Sequence, residues 1–327
     1  MYSRSALYSK GSGEMSFKEL SPLAKELYMR RQIEQLRVVY SAAQKSLAAQ
    51  LRSMDLTNFQ NARAQVLLKQ VNEIVSTLNV SAYRWAKASV PYAYEQGIDL
   101  AADRLKALGI TRFVAYDAQI HTAAVNVLVK DISTELIIAN EGMKKLFNRV
   151  ISQTQQTLLQ DVEINRMIAQ GIIEGGTRRA VSDKLLQELR KQLGEERFLV
   201  INGRNYQPSK YAELLARTRT REATSHGTIN TALRYGVDLV QWDSHSEICE
   251  YCAQFAGRVY SISGADNQFP QLTEKPPLHP NCRCVVIPIT KENLESRGYL
   301  NEVVKLSNSP STVVDSFSRF ERLMATI

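Results

Sequence analysis

All four cysteines of this 327-residue chain lie within one segment. Cys249 and Cys252 form a C-x-x-C pair in CEYCAQFAGRVYSI, and Cys282 and Cys284 form a C-x-C pair in PPLHPNCRC. His279 stands three residues before Cys282. Thiolate sulfur and imidazole nitrogen are the ligands of tetrahedral structural zinc, and a C-x-x-C turn lets two thiolates converge on one ion. The second pair of ligands can be drawn from His279, Cys282 and Cys284. Five candidates then compete for four places, so at least one of them is a spectator or an outer-layer group. Two disulfides, or buried thiols without a metal, are the alternatives. The interval between Ser261 and Pro277 has few large apolar residues, and a loop so polar needs a staple.

An open catalytic metal site is not expected here. No paired glutamate and no second histidine stand at suitable spacing, and His245 is the only other histidine nearby. Nucleases of the His-Asn-His type carry cysteine pairs around a catalytic histidine. In this chain the one histidine between the pairs is His279, and the Asp-His strand end of those enzymes is missing. The other notable run is ARTRTREA, which carries Arg217, Arg219 and Arg221. On a helix Arg217 and Arg221 share a face, and Glu213 is placed to pair with Arg217. Such a face can meet DNA phosphate or an acidic partner. The residues alone favour a solvated face with intrahelical ion pairs.

The net charge of +8 and a pI near 9.2 suit a polyanionic partner, but the excess is spread along the chain. The N-terminus, MYSRSALYSKGSGEM, has no apolar stretch of the secretory type. No apolar run approaches the roughly 20 residues of a membrane span. The expectation is a chain made in the cytosol, where thiols stay reduced and clustered cysteines favour metal over disulfide.

The elements that must position these residues are mostly helical. Segment 1–20 is polar and expected to be mobile. Ser21-Pro22 opens a long amphipathic helix through Leu51, with a break at Asp55 to Thr57. A second helix carries Ala64 to Leu78 and is punctuated at Asn79 to Ser81. Pro91 marks a kink or restart, and Gly109 suits the C′ position of the helix that ends near Leu108. A further helix spans about 117–150, with a bend expected at Gly142. His121 reads as an ordinary helix-face histidine, and Trp85 as a packing residue. Beyond Ile151, two helices split at Gly175-Gly176, followed by a hairpin around Asn202-Gly203. A helix then runs from Pro208 to Gly236, followed by a strand in VDLVQWD, a hairpin over Phe255 to Ile262 turning at Ala256-Gly257, and a strand over Cys284 to Ile289. One more helix is expected near Val313 to Met324. The fold class is α+β: long N-terminal helices in a bundle or stalk, then a small α+β module with a Cys/His knot. The domains are segment 1–20, a helical domain over 21–150, a second domain over 151–289 and a tail over 290–327.

The order of several motifs is similar to that of a known family. ARTRTREA, a helix ending in Tyr235-Gly236, a strand ending in Trp242-Asp243, CEYCAQFAGRVYSI, PPLHPNCRC and a strand closing on Pro288 resemble the phage head-morphogenesis domain. This is the minor capsid family typified by the F protein of phage Mu. The run from Asn202 to Tyr211 also resembles related prophage minor capsid proteins. The resemblance covers roughly 151–289. It implies a structural head protein rather than an enzyme, present in several copies per virion. Its implied partners are the portal protein, the major capsid or scaffolding protein and, as for some members of this type, DNA bound without sequence preference. The implied location is the capsid interior or portal vertex, reached from the host cytoplasm. Cys249, Cys252, His279, Cys282 and Cys284 match the family's Cys/His motif. The competing readings are a zinc-containing DNA-binding or nuclease-like protein and the delivery half of a phage-derived toxin. Against the toxin, the stretch after Pro288 is short for an enzymatic domain.

Overall fold

The structure, a computed structural model, describes residues 21–52, 61–111, 118–160, 199–201, 204–243 and 249–309. Expectations for segment 1–20, for the break at 55–57, for the helices on either side of Gly175-Gly176 and for 313–324 lie outside these residues. Three long helices come first: α1 (Pro22–Arg52), α2 (Asn61–Ala107) and α3 (Ala118–Gln160). They are followed by a hairpin of β1 (Leu199–Ile201) and β2 (Arg204–Tyr206), and by α4 (Pro208–Arg234). The rest comprises β3 (Leu239–Asp243), α5 (Glu250–Ala253), β4 (Val259–Ser261), β5 (Val285–Pro288), α6 (Lys291–Ser296) and α7 (Leu300–Asn308). The fold is mostly helical with a small antiparallel sheet module, as expected.

Helix α1 starts as its sequence dictates, with Ser21 Oγ accepting from the Ala24 N–H at 3.3 Å. Helix α2 differs from expectation. It runs unbroken through Asn79 to Ser81 and through Pro91. Asn79 acts as a bundle residue rather than a turn former, since its Oδ1 accepts from the fully buried Asn140 of α3 at 2.8 Å. Pro91 removes one backbone donor, but Val90, Ala93 and Tyr94 around it are buried in the bundle core. Tertiary packing thus keeps the helix continuous through two local breaking signals. Helix α3 passes through Gly142 and continues beyond residue 150.

The four long helices share one core. Leu36, Tyr40 and Leu47 of α1 meet Val71, Val75, Leu78 and Val90 of α2, with Ile132, Leu136, Met143 and Phe147 of α3. Helix α4 adds Ala212, Ala216 and Ala223 to the same core, although it lies beyond residue 150. Contacts fix the directions. Lys25 meets Asp99 at 2.5 Å and Trp85 Nε1 donates to the Gln32 carbonyl at 2.8 Å, so α1 and α2 are antiparallel. Asn79–Asn140 and Tyr94–His121 set α3 antiparallel to α2. Helix α4 runs parallel to α2. Thr224 Oγ1 donates to the Ala93 carbonyl at 3.0 Å, and Thr228 Oγ1 to the Gly97 carbonyl at 3.1 Å.

The α2–α4 crossing is backbone against backbone. A Cβ added at Gly97 would stand 1.9 Å from the Thr224 carbonyl oxygen, and one at Gly227 would stand 2.1 Å from that of Tyr94. Alanine and glycine on the facing sides permit this approach, and the threonine hydroxyls bind the carbonyls brought close by it. Both helices end in the same way. Gly109 and Gly236 have positive φ, Ile110 N–H bonds the Leu105 carbonyl, and Val237 N–H bonds that of Ala232. Ile110, Leu105, Ala232 and Val237 then pack in one cluster, so the two helix stops stabilise each other.

His121 lies on the face of α3 and joins a hydrogen-bond network there. Its Nδ1 lies 2.9 Å from the hydroxyl of buried Tyr94, Arg234 Nη1 donates to its Nε2 at 2.6 Å, and Asn230 donates to the same hydroxyl at 2.7 Å. The start of α3 is tied to α2 and α4 by this network.

The crossing generates a prediction. Gly227→Ala should destabilise the protein by about 3 kcal/mol, since backbone atoms cannot yield as side chains do. Gly109→Ala, with open space around its Cβ, should cost about 1–2 kcal/mol from its positive φ alone. Denaturant melts of both variants check this ranking; equal midpoints would contradict the crossing geometry.

Candidate metal centre

The three-stranded sheet brings the cysteines together. Its order is β4-β3-β5, with both pairings antiparallel. Asp243 at the end of β3 pairs with Val285 at the start of β5. The segment leaving β3 and the segment entering β5 therefore meet at one end of the sheet. The first carries Cys249 and Cys252, and the second carries His279, Cys282 and Cys284. The expected hairpin within Phe255 to Ile262 is not formed. Gly257 N–H instead bonds the Trp242 carbonyl and Trp242 N–H bonds that of Arg258, so β4 pairs with β3. The central strand has two edges of backbone N–H and C=O groups to satisfy, and this stretch pairs with one of them.

Each donor is held by local structure. Cys249 caps α5, and its Sγ accepts from the Cys252 N–H at 3.4 Å. His279 and Cys282 are joined by a turn in which Cys282 N–H bonds the His279 carbonyl, with Asn281 at φ 61°. His279 Nε2 lies 3.1 Å from Cys249 Sγ and 3.2 Å from Cys252 Sγ. Its Nδ1 lies 2.8 Å from the Pro280 carbonyl, which can only accept. Nδ1 is therefore committed as a donor to that carbonyl, and Nε2 is the nitrogen turned to the thiols, the one a metal would take on displacing its proton. Cys252 Sγ is 3.7 Å from Cys282 Sγ. A tetrahedral ion with bonds of about 2.3 Å to sulfur sets its ligands about 3.8 Å apart, close to this separation. The donors form two overlapping groups, Cys249–Cys252–His279 and Cys252–Cys282–Cys284, and Cys252 belongs to both.

The electrostatics point the same way. The Cys282 thiol is drawn well below the usual range, chiefly by the Cys252 thiol donating to it, and Cys252 is pushed up in turn. His279 is pushed up to about 9, chiefly by its contact with Cys282. Negative charge gathered on sulfur beside an imidazole is what a divalent cation neutralises. All four cysteines are free thiols. Donor type, spacing and ring orientation fit a tetrahedral metal ion.

The walls of the cluster were not foreseen. Trp242 is fully buried against the cysteines and stacks on Phe255 at 4.8 Å. Tyr251 sets its ring edge-on to His279 at 6.4 Å. VDLVQWD does carry one signal, since a tryptophan at a strand end beside a C-x-x-C pair is available to cover the thiols. The polar interval buries its few large apolar residues. Phe269 and Leu272 are buried, and the loop has its own polar frame. Asp266 Oδ1 accepts from the N–H groups of Gln268 and Phe269, and Lys291 pairs with its other oxygen at 2.6 Å. Asp238 accepts from Ser261 Oγ and from the Ser263 N–H.

The arginines of α4 divide. Arg219 is bound internally to Glu135 of α3 and, at 2.5 Å, to Glu222. Arg217 pairs with Glu213 at 2.6 Å, as expected, with its side chain 53% exposed, and Arg221 is exposed. His245 lies outside the described residues.

Fold and cluster together define a helical protein whose small antiparallel sheet is closed by a Cys/His knuckle. Residues 162–287 match the family described as Phage Mu protein F like protein. The matched stretch spans α4, the sheet and the cluster; its part before Leu199 lies outside the described residues. No curated protein and no solved structure gave a significant match. No described helix is long and apolar enough to cross a membrane.

Removal of one donor tests the cluster. Cys249→Ser should lose the zinc retained through gel filtration and melt at a lower temperature than the parent chain. A strong chelator should lower the melting temperature of the parent and leave the variant unchanged. Equal zinc content and equal melting in both proteins would contradict the assignment.

Proposed function

We propose that the chain is a minor capsid protein of a tailed phage or prophage head, placed at the portal vertex or inner capsid, with a structural rather than catalytic role. The match over residues 162–287 carries this reading. The architecture supports it. The Cys/His cluster offers enough protein donors to fill a tetrahedron: Cys252, Cys282, Cys284 and His279 are buried, Cys249 is half-buried, and Trp242 walls one side. Structural metal sites are closed in this way, whereas catalytic ones keep a position open to substrate. The zinc proposed here would staple the sheet module, and its binding energy would add to folding. In assembly the partners would be the portal protein and the major capsid or scaffolding protein.

The decisive experiment is mass spectrometry of purified particles from a strain carrying the gene, with the chain tagged. The expected result is the chain inside nuclease-treated heads, in several copies, cross-linked to portal or capsid subunits. Its absence from particles, or metal-dependent DNA cleavage that is lost on His279→Ala, would overturn the reading.

The net positive charge and the exposed Arg217 and Arg221 support weak contact with packaged DNA. Replacing both with alanine should weaken duplex binding at low salt. It should also lower the slope of log affinity against log salt by about 2, since each phosphate contact contributes roughly 0.9. An unchanged slope would place the DNA contact elsewhere.

A further inference from the structure

We infer that one zinc-class divalent ion is held by Cys249, Cys252, His279 and Cys282, while Cys284 is a fifth, non-ligating thiol packed between the site and Trp242. The first three corners are set by hydrogen-bond geometry. The Cys252 N–H is directed at Cys249 Sγ, a contact that steadies a metal-bound thiolate. The imidazole Nε2 faces both Cys249 and Cys252, while Nδ1 is committed to the Pro280 carbonyl. The last corner lies between Cys282 and Cys284. Cys282 Sγ stands 3.7 Å from Cys252 Sγ, and the Cys282 N–H bonds the His279 carbonyl, so it is tied to two of the three corners already set. Cys284 shares the second group of donors with Cys252 and Cys282 and lies on the side of the Trp242 indole.

The order of the chain gives a reason. Cys282 ends the turn begun by His279, so the two point to one side. Cys284 directly precedes β5, where the alternation of the strand turns it into the apolar cluster with Val240, Trp242 and Val286. A small buried thiol behaves there as a hydrophobe and needs no metal. The ligand set is therefore three sulfurs and one nitrogen. This assignment does not rest on the proposed role in a phage head, and it stands or falls separately.

X-ray absorption at the zinc edge of the reconstituted full chain should give three sulfur neighbours and one nitrogen. Four sulfurs without nitrogen, or no zinc retained, would overturn the proposal. Cobalt titration extends the test. Cys284→Ser should keep one tetrahedral cobalt site with affinity within about tenfold of the parent, the range of an outer-layer change. Cys282→Ser should weaken binding by more than about 100-fold. The reverse order of these two variants would also overturn it. Should Cys282→Ser fail to fold, Cys284→Ser decides: loss of its tetrahedral cobalt site, or affinity weakened by more than about 100-fold, would place Cys284 among the ligands and overturn the proposal.

Discussion

The contact between Gly97 and Gly227 is the constraint on which the rest of the molecule depends. It sets the separation of α2 and α4 at backbone distance, and α1 and α3 then pack on both of these helices. Helix α4 leaves that crossing and delivers the chain directly to β3, the central strand of the sheet. The position of the Cys/His cluster is therefore inherited from a crossing of two helices. Apolar burial supplies the driving force, while the missing side chains at the crossing supply the geometry.

A second constraint operates at the far end of β3. The antiparallel pairing of β3 with β5 guarantees that the chain leaving one strand meets the chain entering the other. The cysteine pairs are thus neighbours by topology before any ligand chemistry is considered. The buried wall of Trp242 and Phe255 makes the cluster part of a small core. Metal ligation and hydrophobic packing then stabilise the same set of residues. A domain with strands as short as β4 and β5 gains from that overlap, since neither contribution need be large alone.

Much of this was legible in the sequence because the signals are local. The Ser21-Pro22 start, the pairing of Ile201 with Arg204, the Pro208 start of α4 and the stops at Gly109 and Gly236 are each set by a few adjacent residues. The five donors were legible by type and spacing. The features that were not legible depend on partners far along the chain. Asn79 looks like a break until Asn140 is placed opposite it, and Pro91 looks like a restart until the core on both sides is known. Arg219 looks like its neighbours until Glu135 is brought to it from α3. Trp242, which covers the thiols, is an ordinary strand residue until the sheet exists.

The link between Thr224 and Ala93 joins residues 131 positions apart. During synthesis, α1 through α3 therefore emerge from the ribosome well before the helix that completes their core. Their apolar faces, which α4 will cover, remain uncovered for that interval. The order of emergence makes α4 the step that commits the chain to its final shape. A polypeptide interrupted anywhere before that helix would hold a bundle lacking its closing member, open to chaperones or to other copies.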